Sequence, residues 1–198
     1  MLQNYFSKFR VALLLVFLSV AIGDVWGEAT YRLEQVTSVG AGMYVFEQSG
    51  HVMSNRITSK SLQTTADYQT SGLTGTEAYV WTLVKASTGY YMKNTNDTGL
   101  YPYLGSSSSD TEVNLVKTSS EAGYWTFNFQ SNGTVIIRNE GNRFLGYTSK
   151  SSYLYKAYAN SNLSTYPHAI KVYKLVAEIF PPEINAEDVS LVNDAVGG

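Results

Sequence analysis

Side chains that could perform acid–base or nucleophilic chemistry are few in this sequence. His51 and His168 are the only imidazoles, and cysteine is absent from all 198 residues. Hydrolysis needs a nucleophile beside a base, or two placed carboxylates. Asp97 and Asp110 lie in predicted loops, and the serine run 106–109 lacks the G-x-S-x-G elbow. Both histidines are expected in turns or on the surface, so we predict that the protein is not an enzyme.

Metal and cofactor sites also lack a supporting pattern. The absence of cysteine excludes disulfides and thiolate zinc sites. Asn94, Asn96 and Asp97 supply hard oxygen atoms, but no D-x-D-x-D-G loop ending in Glu surrounds them. The two asparagines are better explained by turn hydrogen bonds. No glycine-rich phosphate loop follows a strand and opens a helix, so we predict no metal and no cofactor.

Tyrosine is the side chain in surplus, with 16 copies, nine of which lie between residues 90 and 158. Strand alternation places Tyr101 with Tyr103, and Tyr153 with Tyr155, on shared faces. Exposed rings beside polar loop residues suit stacking on sugar rings, and they equally suit protein contacts. The candidate ligand-binding residues are Tyr101, Tyr103, Asn96, Asp97, Tyr147, Asn142, Tyr153 and Tyr155.

Residues 1–27 have the pattern of a secretory signal peptide. A basic segment precedes the uncharged apolar run 11–22, which is too short to span a bilayer comfortably as a helix. Cleavage is favoured after Gly27, with Gly23 as the alternative site. An uncleaved N-terminal anchor or a buried core helix are the other interpretations. We predict a bacterial protein secreted to the periplasm or the extracellular space, with no stable membrane span after cleavage.

The C-terminal residues 177–198 differ from the rest of the chain. They hold five acidic residues and no Lys or Arg, whereas residues 28–176 hold 12 basic and 10 acidic residues. The Pro181-Pro182 pair indicates a linker, and the alternation over 188–192 is typical of a strand. We predict an acidic linker or short extension, or the start of a truncated second β domain. The scattered bases of 28–176 form no cluster, which argues against nucleic-acid binding.

A repeat of about 45 residues runs through the middle of the chain. Aromatic-x-apolar triplets begin at Tyr31, Trp81, Trp125 and Tyr173. In the second and third units a glycine follows eight residues after the tryptophan, then an asparagine, a strand ending in Leu-Gly and a serine-rich loop. Each unit is predicted to hold about four short strands, and no helical period is sustained. The expected core residues are Trp81, Trp125, Leu33, Leu83, Phe127 and Leu175.

The order W-x-L, G-x-V-x-I-x-N and Y-L-G resembles the ricin-B-like module of secreted multidomain proteins from Bacteroidetes-type bacteria. The resemblance covers about residues 30–176 and implies an all-β fold, a β-trefoil of three repeats, with a β-sandwich as the alternative. Sugar-binding repeats of that family carry Gln two residues before the Trp. Here Tyr79 precedes Trp81 and Gly123 precedes Trp125 at that spacing. The family's sugar site is therefore not transferred to this chain.

Together these patterns predict a secreted, non-catalytic binding module within a larger extracellular protein. Its expected ligand is a glycan or another cell-surface ligand, bound through exposed tyrosines and polar loops. One alternative is a structural or adhesive spacer that contacts neighbouring domains of the same polypeptide. Another is a protease inhibitor that presents exposed loops.

Overall fold

The computed structural model describes residues 29–94, 96, 103–106, 111–148 and 154–178, which form an all-β structure of antiparallel strands. The predicted signal peptide and residues 179–198 of the predicted tail lie outside the described residues. No helix in the described part of the chain is long and apolar enough to cross a membrane. The strands are β1 (Tyr31–Val36), β2 (Gly42–Gln48), β3 (His51–Thr58), β4 (Ser61–Thr65), β5 (Trp81–Lys85), β6 (Tyr90–Asn94), β7 (Tyr103–Ser106), β8 (Val113–Val116), β9 (Trp125–Phe129), β10 (Val135–Asn139), β11 (Phe144–Thr148), β12 (Leu154–Tyr158) and β13 (Lys171–Ala177). A single helical turn, α1 (Ser119–Ala122), precedes β9, and a 3-10 turn (Asn160–Asn162) follows β12.

Six of these strands pair around a closed ring. β2 pairs with β5, β5 with β6, β6 with β9, and β9 with β10. The ring returns through a 2.8 Å hydrogen bond from the Val135 amide to the carbonyl of Ile170, beside β13, which in turn pairs with β2. Because the ring is closed, each of the six strands has a paired neighbour on both of its edges.

The remaining strands lie outside the ring. Three hairpins, β3–β4, β7–β8 and β11–β12, each follow a ring strand, and β12 pairs with β4. β1 pairs with β13 from outside. Trp81 pairs with Tyr44, Trp125 pairs with Tyr90, and Ile170 pairs with Val135. Trp81, Trp125 and Ile170 therefore hold equivalent positions in the ring. The predicted equivalence of the Tyr31 and Tyr173 triplets with the tryptophan triplets is therefore wrong, because Ile170 holds the third position.

The two tryptophans lie in the core, as the sequence predicted. Trp81 and Trp125 are both 0% exposed. Their indole nitrogens donate to the main-chain carbonyls of Met53 and Leu104, at 3.0 and 2.9 Å. Each bond joins a ring strand to the first strand of an outer hairpin. A buried indole N–H needs such a partner.

The other expected core residues divide between two clusters. Leu83 and Phe127 pack with the tryptophans. Leu33 and Leu175 pack instead with Val45 in a second cluster. The expectation that all four share one core is wrong, since β1 pairs along the edge of β13 and its partly buried Leu33 packs on the second cluster.

The repeated asparagines form the turn hydrogen bonds that the sequence predicted. Asn94 is 0% exposed, and its Nδ2 donates to the carbonyls of Ala78 and Val80, both at 2.9 Å. Its Oδ1 accepts from the Asn96 amide at 2.9 Å. Asn139 accepts from the amide of Arg143 at 2.8 Å in the matching place. These amides join the ring strands β6 and β10 to the loops beside them.

Candidate binding groove

The predicted tyrosine surface is only partly present. Tyr147 and Tyr155 are 3% and 0% exposed, and their ring centroids lie 5.5 Å apart across β11 and β12. The expectation that these two rings are exposed is wrong, because both pack into the main core cluster. Tyr101, Asp97 and Tyr153 lie outside the described residues.

The other three candidates lie on separate elements. Tyr103 is half-buried at the start of β7, with the Lys93 Nζ 5.9 Å from its ring centroid. Asn96 is exposed after β6. Asn142 is exposed in the β10–β11 turn with a φ of 59°. Asparagine tolerates this left-handed conformation, so its role there is that of a turn residue.

The two histidines, which are possible catalytic groups, lie at the start of β3 and in the segment before β13. The Nδ1 atoms of His51 and His168 each lie 3.0 Å from a main-chain carbonyl two residues earlier, that of Ser49 or Tyr166. Asp110 lies outside the described residues. Within the described ranges, no group of three His, Asp or Glu side chains is placed to hold a metal ion.

A groove of about 560 Å³ lies between the β9–β10 turn and the segment that leads into β13. The turn contributes Gln130, Ser131, Asn132 and Thr134, and the segment contributes the consecutive residues 163–169. These lining residues include hydroxyl, amide and imidazole groups but no Asp, Glu, Lys or Arg. We call this feature the turn groove.

Hydrogen bonds hold both walls of the turn groove in place. The Val135–Ile170 bond joins them at one end, and the amide of Tyr147 donates to the carbonyl of Pro167 at 2.8 Å. Within the turn, Asn132 Oδ1 accepts from the Thr134 amide at 3.1 Å and from its hydroxyl at 2.7 Å. This geometry is set without any ligand, which reduces the ordering that binding would require.

Aromatic residues of β11 and β12 pack against the segment 163–169. The rings of Tyr166 and Tyr158 stack with centroids 3.7 Å apart and an interplanar angle of 14°. His168 meets Phe144 edge-on at 5.7 Å. Tyr158, Phe144 and Ile136 are buried, and Tyr166 packs against them. Tyr158 covers one face of the Tyr166 ring, and Tyr166 as a whole is partly exposed and lines the turn groove.

Sequence reasoning missed the turn groove. Its two walls are about thirty residues apart in the chain, and neither contains a motif that indicates binding. The available signals were the Asn132-Gly133-Thr134 turn and the Tyr166-Pro167-His168 triplet. Neither is specific, because such residues mark turns in proteins of any function.

Comparison with known proteins gives little further guidance. No protein-family model and no curated protein sequence matches this chain. Among solved structures, it is similar to the one described as "Crystal structure of lysenin pore", with a TM-score of 0.47 and 14% identity. The match covers 75% of this chain and 50% of that chain, so this chain spans about half its length. A likeness at this level carries no argument about function.

Buried tyrosines are expected to lower the free energy of unfolding when they ionise at alkaline pH. Burial, with a smaller effect of Tyr166, raises the pKa of Tyr158 to about 12, and burial raises the pKa of Tyr155 well above its usual value. The neutral phenols are favoured in the folded state, so their contribution is complete below about pH 10 and is lost as the pH rises through the folded-state values. Over this pH range, the free energy of unfolding measured with denaturant should fall less steeply for Tyr158→Phe than for the unmodified protein. An equally steep fall for both proteins would contradict the raised pKa of Tyr158.

Proposed function

We propose that the protein is a secreted, non-catalytic carbohydrate-binding module with a β-trefoil architecture. The closed six-strand ring, the three outer hairpins and the matching places of Trp81, Trp125 and Ile170 support the trefoil. They also favour the resemblance to ricin-B-like modules. A β-sandwich remains the alternative all-β architecture.

The observation that carries the carbohydrate proposal is the composition of the turn groove. It brings amide, hydroxyl and imidazole groups beside one partly exposed tyrosine, Tyr166. Sugars present C–H bonds on one face and hydroxyls around the edge, so they match a site with an aromatic surface and convergent polar groups. The walls are held by main-chain hydrogen bonds, which favours binding to a preformed site.

Secretion is supported by the signal-peptide pattern of residues 1–27. The cysteine-free composition fits a domain that is held together by its apolar core rather than by disulfides. With the signal peptide removed, the ligands that such a module meets are extracellular glycans.

A glycan array probed with the full chain tests this function. We expect binding to at least one glycan class and a loss of roughly fivefold in affinity for Tyr166→Ala, since aromatic stacking contributes about 1 kcal/mol. Tyr91→Ala, in the separate hairpin β5–β6, is the matched control and should bind normally. Because Tyr166 also packs on Tyr158, circular dichroism must show that the variant is folded, and Asn132→Ala provides a second variant outside the aromatic stack. Absence of binding to any glycan by the folded protein would overturn the proposal.

A further inference from the structure

The hydrogen-bonding atoms of the turn groove are partly committed to the protein itself. Asn132 Oδ1 already accepts two hydrogen bonds from Thr134, so the Nδ2 of Asn132 is left as a donor. Gln130 Nε2 donates to the carbonyl of Asn128 at 2.9 Å, so its Oε1 is left as an acceptor. Gln130 Nε2 also keeps its second N–H, so Gln130 can both accept and donate, whereas Asn132 is left mainly as a donor.

The imidazole of His168 adds a second acceptor. Its Nδ1 lies 3.0 Å from the Tyr166 carbonyl, which can only accept, so the proton of the neutral ring is on Nδ1. Nε2 is then the acceptor. The exposed hydroxyls of Ser164 and Thr165 can both donate and accept.

This set of atoms discriminates between neutral and anionic ligands. A sugar hydroxyl donates and accepts at once, so it can bond to Asn132 Nδ2 and to Gln130 Oε1 or His168 Nε2. A sulfate or carboxylate can only accept, so it could use the donors of the groove but would leave the two acceptors without a donor, and it would find no counter-charge among the lining residues. Desolvating a charge without a partner is strongly unfavourable.

We infer that the turn groove selects uncharged, hydroxyl-rich sugars over sulfated, sialylated or phosphorylated ones. This inference rests on the proposed function and specifies its ligand class. The site lies on the β9–β10 turn and the segment before β13, and its selectivity comes from Gln130, Asn132 and His168. Neutral recognition of this kind depends little on ionic strength, because no ion pair contributes to it.

The direct test compares neutral oligosaccharides with their sulfated and sialylated counterparts on the full chain. We expect at least a roughly tenfold preference for the neutral form, the equivalent of about 1.4 kcal/mol. The affinity should stay nearly constant as salt rises from about 50 to 500 mM, where surface charge pairs are screened. A preference for the anionic form, or a steep loss of binding with salt, would overturn this inference while the carbohydrate function stands.

Asn132→Asp tests the location of the site. The carboxylate can still accept from Thr134, so the turn should be kept, but the Nδ2 donor is replaced by a negative acceptor. We expect a loss of at least roughly tenfold in affinity for the neutral sugar. Ser87→Asp is the matched control, because it places the same charge in the exposed β5–β6 turn, and its affinity should be unchanged.

The outcomes separate the two proposals. Failure of the folded protein to bind any glycan overturns the proposed function and the inference together. Neutral-sugar binding that Asn132→Asp leaves intact overturns the assignment to the turn groove alone. An equal loss for Asn132→Asp and Ser87→Asp also overturns it, since the effect would then be one of general surface charge.

Discussion

Replacing Trp125 with alanine is expected to lower the free energy of unfolding by about 3–5 kcal/mol, the usual range for a buried large aromatic side chain. The indole is 0% exposed and lies between ring strand β9 and the outer hairpin β7–β8. Its removal leaves a cavity and deprives the Leu104 carbonyl of its 2.9 Å donor. Domains of this size have about 5–15 kcal/mol of total stability, so the variant should be close to unfolding.

Trp125→Phe separates packing from hydrogen bonding. Phenylalanine keeps most of the buried ring but lacks the N–H, so we expect a smaller loss of about 1–3 kcal/mol. Trp81→Phe should show a similar loss, because Trp81 donates to Met53 in the matching place. Urea denaturation followed by circular dichroism measures all three variants. If Trp125→Phe were as damaging as Trp125→Ala, packing of the indole would not be the main contribution.

The parts of the fold that could be predicted from sequence are those fixed by local patterns. The all-β class follows from frequent turn residues and from the lack of a helical period. Trp81 and Trp125 could be identified as core residues because the same sequence of features follows each, a glycine eight residues later and then an asparagine. Asn94 and Asn139 could be identified as turn residues for the same reason. Each of these inferences depends on residues within one repeat unit.

The identity of the strands that close the ring could not be predicted in this way. Strand pairing joins β13 to β2, more than one hundred residues away, and β1 has a similar aromatic-x-apolar pattern. Sequence therefore could not show that Ile170, rather than Tyr31 or Tyr173, matches the tryptophans. Register is decided by which partner strand is available in space.

The tyrosines of the predicted site show that sequence patterns also do not specify long-range contacts there. Alternation indicates which rings share a face, but it does not indicate which face is covered. Tyr147 is buried because its ring packs beside Tyr155 in the main core cluster, on the face of β11 opposite to Phe144. The turn groove depends on a different contact, in which the segment before β13 lies beside β11 and His168 meets Phe144. Neither contact is specified by the alternation of residues within one strand.

Replacing Gly89 with alanine is expected to destabilise the protein by roughly 3 kcal/mol or more, from two separate causes. Gly89 has a φ of 75°, a conformation that costs an L-residue about 1–2 kcal/mol. A Cβ at this position would also lie 2.3 Å from the main-chain oxygen of Trp125. Overpacking against a rigid backbone typically costs a further 1–3 kcal/mol.

Gly50→Ala is the matched control that separates the two causes. Gly50 has nearly the same φ, 78°, but a Cβ there would meet nothing within 4 Å. It should therefore show only the conformational loss of about 1–2 kcal/mol, and the difference between the two variants measures the close approach at Gly89. That approach exists because β6 and β9 pair at Tyr90 and Trp125, one of the contacts that close the ring. Equal losses in urea denaturation would mean that β6 and β9 are farther apart, and the ring would not close as described.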